Sequence, residues 1–212
     1  MKKILAMLLA LTVVLSLAAC GNDTAKDTTP ETTTAPVETT EGTVEPTEEL
    51  VDDTIPAPAT NGATDVINAI WNAVPEDKKF FAMGGDFNHI ADNAAGVYSL
   101  EDEGLTSTLL IPADQIANVD EAASLMHAML ANNFTCGAFH VTGDKAAFVE
   151  AMHNAVANNQ WICGMPEKMI IAEIGEYVLV AFGINDAINP FEDALKTVYA
   201  DAGIKYSEAI AG

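Results

Sequence analysis

Apolar and polar positions divide the chain into three regimes. Ile4 to Leu17 is a predominantly apolar run behind Lys2 and Lys3, and Gly21 to about Pro58 is Thr, Glu, Asp and Pro with almost no large apolar side chains. From about Ala59 to Gly212, apolar residues recur at intervals typical of helices and strands. The first run is too short to span a bilayer and suits the core of a secretory signal. The second cannot bury enough surface to offset the entropy of ordering, so a disordered stalk is expected there. Only the third has the patterning and the length, roughly 150 residues, for a single domain with one core.

Within the third regime, Val66, Ile67, Ile70, Trp71 and Val74 lie at helical spacing, with Thr64 as the expected N-cap and Pro75 as the stop. Phe80 to Gly96 carries Gly84-Gly85, Asn93 and Gly96 and reads as a loop. A phosphate cradle at the glycine pair would need a preceding strand and a following Gly-Lys-Ser/Thr. Val97 to Ile111 suggests a hairpin or two short strands about an acidic turn at Glu101-Asp102-Glu103-Gly104. That turn lacks the alternate spacing of a calcium loop.

A helix is expected from Asn118, with Glu121 closing a capping box and Val119, Ala122, Met126 and Met129 on one face. Phe134 to Val141 reads as a strand. A second helix follows from Asp144, with Phe148, Met152, Ala155 and Val156 inward. Met169 to Ile174 and Tyr177 to Phe182 flank Gly175-Glu176, the pattern of a type II′ hairpin. The last helix is expected to open with Asn189 as N-cap, Pro190 at its first position and Glu192 in a capping box, and to run to Gly203 with Phe191, Leu195, Val198 and Tyr199 inward. These elements predict an α+β domain with a small, largely antiparallel sheet covered by helices.

Two segments echo one another. Met126-His127, Ala131-Asn132-Asn133 and Cys136-Gly137 recur as Met152-His153, Ala157-Asn158-Asn159 and Cys163-Gly164. Each copy reads as a helix end, an Asn-rich cap and the start of an extended segment, since Asn tolerates the left-handed backbone of a helix C-terminus. A decayed duplication and convergent capping both account for the echo.

From Phe134 to Phe182 the order of strand, acid-capped helix, Pro-containing connector and Gly-turned hairpin ending in Tyr177-Val178-Leu179-Val180 resembles the DUF4358 type of lipoprotein domain of Gram-positive anaerobes. The resemblance covers about a quarter of the chain. It implies a fold and an extracytoplasmic compartment and carries no activity with it. The cysteines and the Trp161 segment depart from the broad family's pattern.

A second resemblance lies at the start of the chain. Leu17-Ala18-Ala19-Cys20 after the apolar run looks like a bacterial lipoprotein signal with its lipobox, against the alternative of a plain cleaved signal. It implies cleavage between Ala19 and Cys20, diacylation of the Cys20 sulfur and retention on the outer face of the cell membrane. Two acyl chains, at about 0.8 kcal/mol per buried methylene, suffice for stable anchoring. The expected organisation is therefore residues 1–19 as signal, 20–58 as lipidated cysteine and linker, and 59–212 as extracytoplasmic domain. The Thr and Pro of the linker suit either a plain spacer or a glycosylated or partner-binding one.

Charge narrows the partners. The formal net charge is −22 over 212 residues, every basic residue other than histidine is a lysine, and removal of Lys2 and Lys3 with the signal makes the mature chain more acidic still. Without arginine, and with an acidic field that repels phosphate, no nucleic-acid partner is expected. The same field holds the domain off anionic headgroups, which leaves the lipid on Cys20 as the membrane contact and an envelope protein or small ligand as the partner.

Candidate chemistry is sparse. With Cys20 acylated, Cys136 and Cys163 form an even pair outside the cytoplasm and are candidates for a disulfide, with two reduced core cysteines as the alternative. A nucleophilic cysteine is a third reading. On a strand, however, His140 lies about 13 Å from Cys136 along the chain, too far for direct activation. His127 beside Met126 and His153 beside Met152 can be drawn as a soft metal site, but methionines at helical spacing are more often core, so no metal is expected. Trp161, Met165 and His140 are the candidate pocket residues, with Trp161 more simply a cap on the sheet. No Ser-His-Asp spacing, zinc motif, Cys-x-x-Cys or nucleotide loop appears, so no catalytic residue and no cofactor is expected. The chain reads as a non-catalytic binding domain at the cell surface. The alternatives are an envelope enzyme or thiol-dependent factor using Cys136 or Cys163, and the substrate-binding lipoprotein of a transporter.

Overall fold

A computed structural model describes residues 60–211. The expected signal, the expected lipidation site Cys20 and the whole of the expected stalk lie outside these residues. The strands are β1 (Ala82–Gly84), β2 (Ala91–Asp92), β3 (Gly96–Val97), β4 (Val119–His127), β5 (Phe134–Val141), β6 (Lys168–Ile174), β7 (Tyr177–Gly183) and β8 (Gly203–Ala209). They form one antiparallel sheet in the order β2-β1-β4-β5-β7-β6-β8, with β3 also paired to β4. Helices α1 (Ala63–Ala73), the single turn α2 (Gly104–Ser107), α3 (Lys145–Ala157) and α4 (Asn185–Val198) complete the α+β domain.

Strict alternation along the central strands sorts their side chains into two cores. Phe134, Cys136 and Ala138 of β5, Leu179 and Ala181 of β7, and Ile170 and Ala172 of β6 pack with α1 and α4. Phe139, Val141, Val178, Val180 and Ile171 face the other way, against Phe148, Met152 and Val156 of α3 and against Leu105, Leu109 and Ile111 of the segment before β4. Both faces are covered, which is why Met169–Ile174 and Tyr177–Phe182 are continuous apolar runs rather than alternating ones. The hairpin between β6 and β7 forms as expected. Gly175 has φ +57° and Glu176 is not among the residues with positive φ, the signature of a type II′ turn. β5 and α3 also form where expected, and the Asp144 side chain accepts from Ala147 N–H at 3.1 Å as the N-cap of α3.

Several expectations are overturned. The segment from Asn118 is not a helix but the strand β4, paired with β5 over most of its length. Ala122 faces one core while Ala123 and Leu125 face the other, so burial on both sides erases the alternation and leaves apolar spacing that imitates a helix. Glu121 closes no box within its own segment; it accepts from the backbone N–H of Ala63 at 2.8 Å and so caps α1. Gly62, not Thr64, holds the N-cap position there and supplies no side chain to it.

Phe80 to Gly96 contains β1 and β2, strands of three and two residues that are too short to show a period. Val97 to Ile111 is not a hairpin: β3 pairs with β4, and the acidic turn leads into α2. α4 begins at Asn185, where Glu167 Oε2 accepts from the Asn185 N–H at 2.7 Å. Pro190 therefore lies inside the helix rather than at its start. β8 follows α4 as an edge strand on β6, a position that leaves much of it exposed and without the apolar pattern that would announce it. The two echoed segments have different structures, one being β4, a 3₁₀ turn and β5, the other α3 and a connector. The echo is therefore not a structural repeat.

Candidate binding groove

Register brings together side chains that are far apart in sequence. Met83 of β1 lies opposite Met126 of β4, Met126 opposite Thr135 of β5, and Thr135 opposite Phe182 of β7. Directly opposed residues project from the same face, so these four form one row across four strands. The row floors a groove of two adjoining lobes that share Thr108 and Ala131.

The first lobe, about 270 Å³, is lined by Met83 and Met126 together with Phe87, Ile90, Tyr98 and Asp86. The second, about 260 Å³, is lined by Thr135 and Phe182 together with Trp161, Ile162, Asn132 and Gln160. The first is mainly apolar, with Asp86, Tyr98 and Thr108 as its polar side chains, and the second mixes two aromatic rings with amides and hydroxyls.

The loop from Gly85 to Ile90 is braced by Asp86. Its Oδ1 accepts from Asn88 N–H at 2.8 Å, and its Oδ2 accepts from Ser99 N–H at 2.7 Å. His89 Nδ1–H donates to the same carboxylate at 2.8 Å. Burial alone would raise the Asp86 pKa; the backbone bonds from Ser99 and Asn88 and the pairing with His89 outweigh it and hold the carboxyl below its ordinary range.

Gly85 has φ +79°, and a Cβ there would lie 2.0 Å from the carbonyl oxygen of His89. At Gly84 a Cβ would lie 2.3 Å from Ala94 O and from Gly96 N. The glycine pair thus marks a close backbone crossing. The product of this bracing is Phe87, 93% exposed at the loop tip.

At the other lobe, Trp161 packs on Phe182 with ring centroids 5.1 Å apart. Asn132 Nδ2 donates to Ile162 O and Gly164 O, both at 2.8 Å, and so holds the connector in which Cys163 and Gly164 have positive φ.

The three expected pocket residues are not brought together. Trp161 lines the groove, but Met165 lies outside its lining. His140 sits at the far end of β5, where Nδ1 meets Asp120 and the ring lies 5.2 Å from Tyr177. Nor do Cys136 and Cys163 form a disulfide: both are free, Cys136 buried under α1 and α4 and Cys163 exposed on the connector. Burial pushes the Cys136 thiol far above its usual pKa. Their matching places in the sequence echo are not matching places in the fold.

His127 and His153 are likewise separate. His127 stacks on Phe80 at 5.1 Å, while His153 stacks on Tyr206 at 3.9 Å and meets Glu208 through Nε2 at 2.8 Å. Among the described residues no group of three or more His, Cys, Asp or Glu side chains is arranged to hold a metal ion.

Sequence reasoning missed Met83, Phe87, Ile90 and Tyr98 as lining residues and placed Met126 on a helix face. One local signal was present: Phe87 and Ile90 are large apolar residues inside an otherwise polar, glycine-led loop. Scans of protein-family models, of the curated proteins and of solved structures find no match to this chain.

Proposed function

We propose that the chain is a membrane-anchored lipoprotein of the cell surface whose domain binds a partner or ligand in the groove without transforming it. The observation that carries this reading is Phe87, an aromatic side chain held in solvent by a carboxylate-braced loop at the rim of an apolar lobe. Bracing lowers the entropic cost of binding through that ring, and buried aromatic anchors dominate many interfaces. Asp86 is the one carboxylate among the residues lining the two lobes, and both of its oxygens are engaged. That leaves no evident general base for chemistry. The anchor rests on the lipobox sequence ending in Cys20, and the fold-type resemblance over Phe134–Phe182 belongs to the same proposal.

A photo-crosslinking amino acid at position 87, in cells producing the full chain, tests the binding reading. A discrete adduct at 87 and none from the same group at Asp201 supports it; equal labelling from both positions would sink it. Replacing Cys20 with Ala should release the protein from the membrane fraction and remove the mass of its acyl chains.

A thiol-dependent role keeps one supporting observation, the exposure of Cys163 next to Ile162 at the groove. Loss of a measurable envelope phenotype in Cys163→Ser, with crosslinking from position 87 intact, would favour it. The transporter reading needs two lobes with a cleft between them, and one continuous sheet counts against it.

A further inference from the structure

We infer that the groove takes a cationic, apolar peptide segment of another envelope protein, with lysine or arginine flanking one or two large apolar side chains. This rests on the binding reading above and deepens it.

Charge is the first ground. Between Lys79 and Lys145 the chain has no lysine or arginine, and that stretch supplies the whole lining of the Phe87 lobe. The same stretch places Asp92 and Asp102 next to residues that line the lobe. Asp92 lies opposite Met83 in the ladder, so its side chain shares the face of the groove floor. Asp102 lies beside Tyr98: a Cβ on Gly104 would sit 1.9 Å from Tyr98 Oη and 2.8 Å from Asp102 Oδ1. Glu101 and Glu103 are its neighbours in sequence and are exposed.

The six lysines of the described residues are committed elsewhere. Lys78 and Lys79 pair with Asp77 and Glu76, Lys145 with Glu176, Lys168 and Lys196 with Glu192, and Lys205 with Glu173. Asp92, Glu101, Asp102 and Glu103 therefore have no ion-pair partner among the described residues, and His89 is engaged by Asp86. Uncompensated negative charge beside the lobe steers cations in and repels an acidic partner, a second copy of this chain included.

Shape is the second ground. Each lobe lies below the ~300–1,000 Å³ usual for small-molecule sites. Two small lobes side by side suit separate side chains of one peptide better than one compact ligand. In the second lobe Ser107, Asn159 and Gln160 add hydroxyl and amide groups of the kind that satisfy peptide N–H and C=O.

The test uses the mature chain with Cys20→Ser for solubility and three fluorescent decapeptides, read by anisotropy. One carries Lys around Phe and Leu, the second has Glu for each Lys, and the third has Ser for each Phe and Leu. The first should bind at least tenfold tighter than either of the others, and at least fivefold more weakly in 500 mM than in 50 mM NaCl, as screening requires. The double variant Phe87→Ser, Ile90→Ser should lose at least tenfold, and Asp92→Asn with Asp102→Asn at least threefold. Asp201→Asn, a remote acid, should change nothing.

Equal binding of the acidic or the serine peptide, indifference to the Phe87 and Ile90 substitutions, or a concentration-dependent dimer that occupies the groove would each overturn the inference. Crosslinking from position 87 without peptide binding would reject this occupant and leave the binding reading standing; failure of both would reject the two together.

Discussion

Glu121 and Ala63, fifty-eight residues apart, are joined by a 2.8 Å hydrogen bond from the Ala63 N–H to Glu121 Oε1. A side chain of a central strand therefore caps the first helix, which has no side-chain cap of its own. The other oxygen, Oε2, accepts from Tyr177 Oη at 3.1 Å, so one carboxylate ties β4, α1 and β7 together. Glu121→Ala should cost about 1–2 kcal/mol, combining a lost N-cap with a lost side-chain bond. Urea denaturation measures it, and Glu121→Gln, which keeps an acceptor oxygen, should recover a good part.

Stability should fall on the acid side because of Glu192. This side chain of α4 is 7% exposed and pairs with Lys168 and, at 2.9 Å, with Lys196. Ser207 Oγ of β8 donates to it at 2.8 Å. Burial alone would raise its pKa; the bonds from Lys168, Lys196 and Ser207 outweigh that and bring it down to about 2. A carboxylate depressed in the folded state stabilises above its unfolded pKa and loses that contribution as pH falls through the folded value. Unfolding free energy should accordingly drop between about pH 4.5 and pH 2. The drop from this group should be on the order of 3 kcal/mol. Glu192→Gln should be less stable at pH 7 and should flatten the acid limb of a denaturation series.

Gly85→Ala should destabilise the loop that carries Phe87. Its φ of +79° and the 2.0 Å approach of a Cβ to the His89 carbonyl leave no room without backbone movement. A cost of about 1–3 kcal/mol is expected from the strain. Thermal melts measure the stability loss, and reduced crosslinking from position 87 would show that the anchor had moved.

The two cysteines should separate cleanly by reactivity. Iodoacetamide should modify the exposed Cys163 in the native chain and reach the buried Cys136 only in denaturant. Intact mass should not change with reductant. A two-dalton difference would mean a disulfide and would contradict the arrangement described.

Elements whose signals are local were legible from the chain. The Gly175 turn forces a tight hairpin because its backbone conformation suits glycine, and the Asp144 cap and the apolar face of α3 lie within a few residues of one another. The first helix was legible from its apolar face but not from its cap, which comes from Glu121. β4 has the apolar spacing of a helix because its two faces meet different cores, and that spacing is a property of its neighbours. β8 was missed because an edge strand can stay partly exposed and polar when β6 supplies its pairing.

The groove lay beyond reach for the same reason. Its floor of Met83, Met126, Thr135 and Phe182 spans about a hundred residues of sequence and exists only through strand register. By itself, the sequence determined a long polar segment, an acidic chain with no arginine and an α+β pattern of local helices and turns, because composition and short-range spacing carry those. Tertiary structure decided which residues face one another, the separation of the two cysteines and the place where Phe87 stands in solvent, because pairing across the sheet is set by the whole core at once.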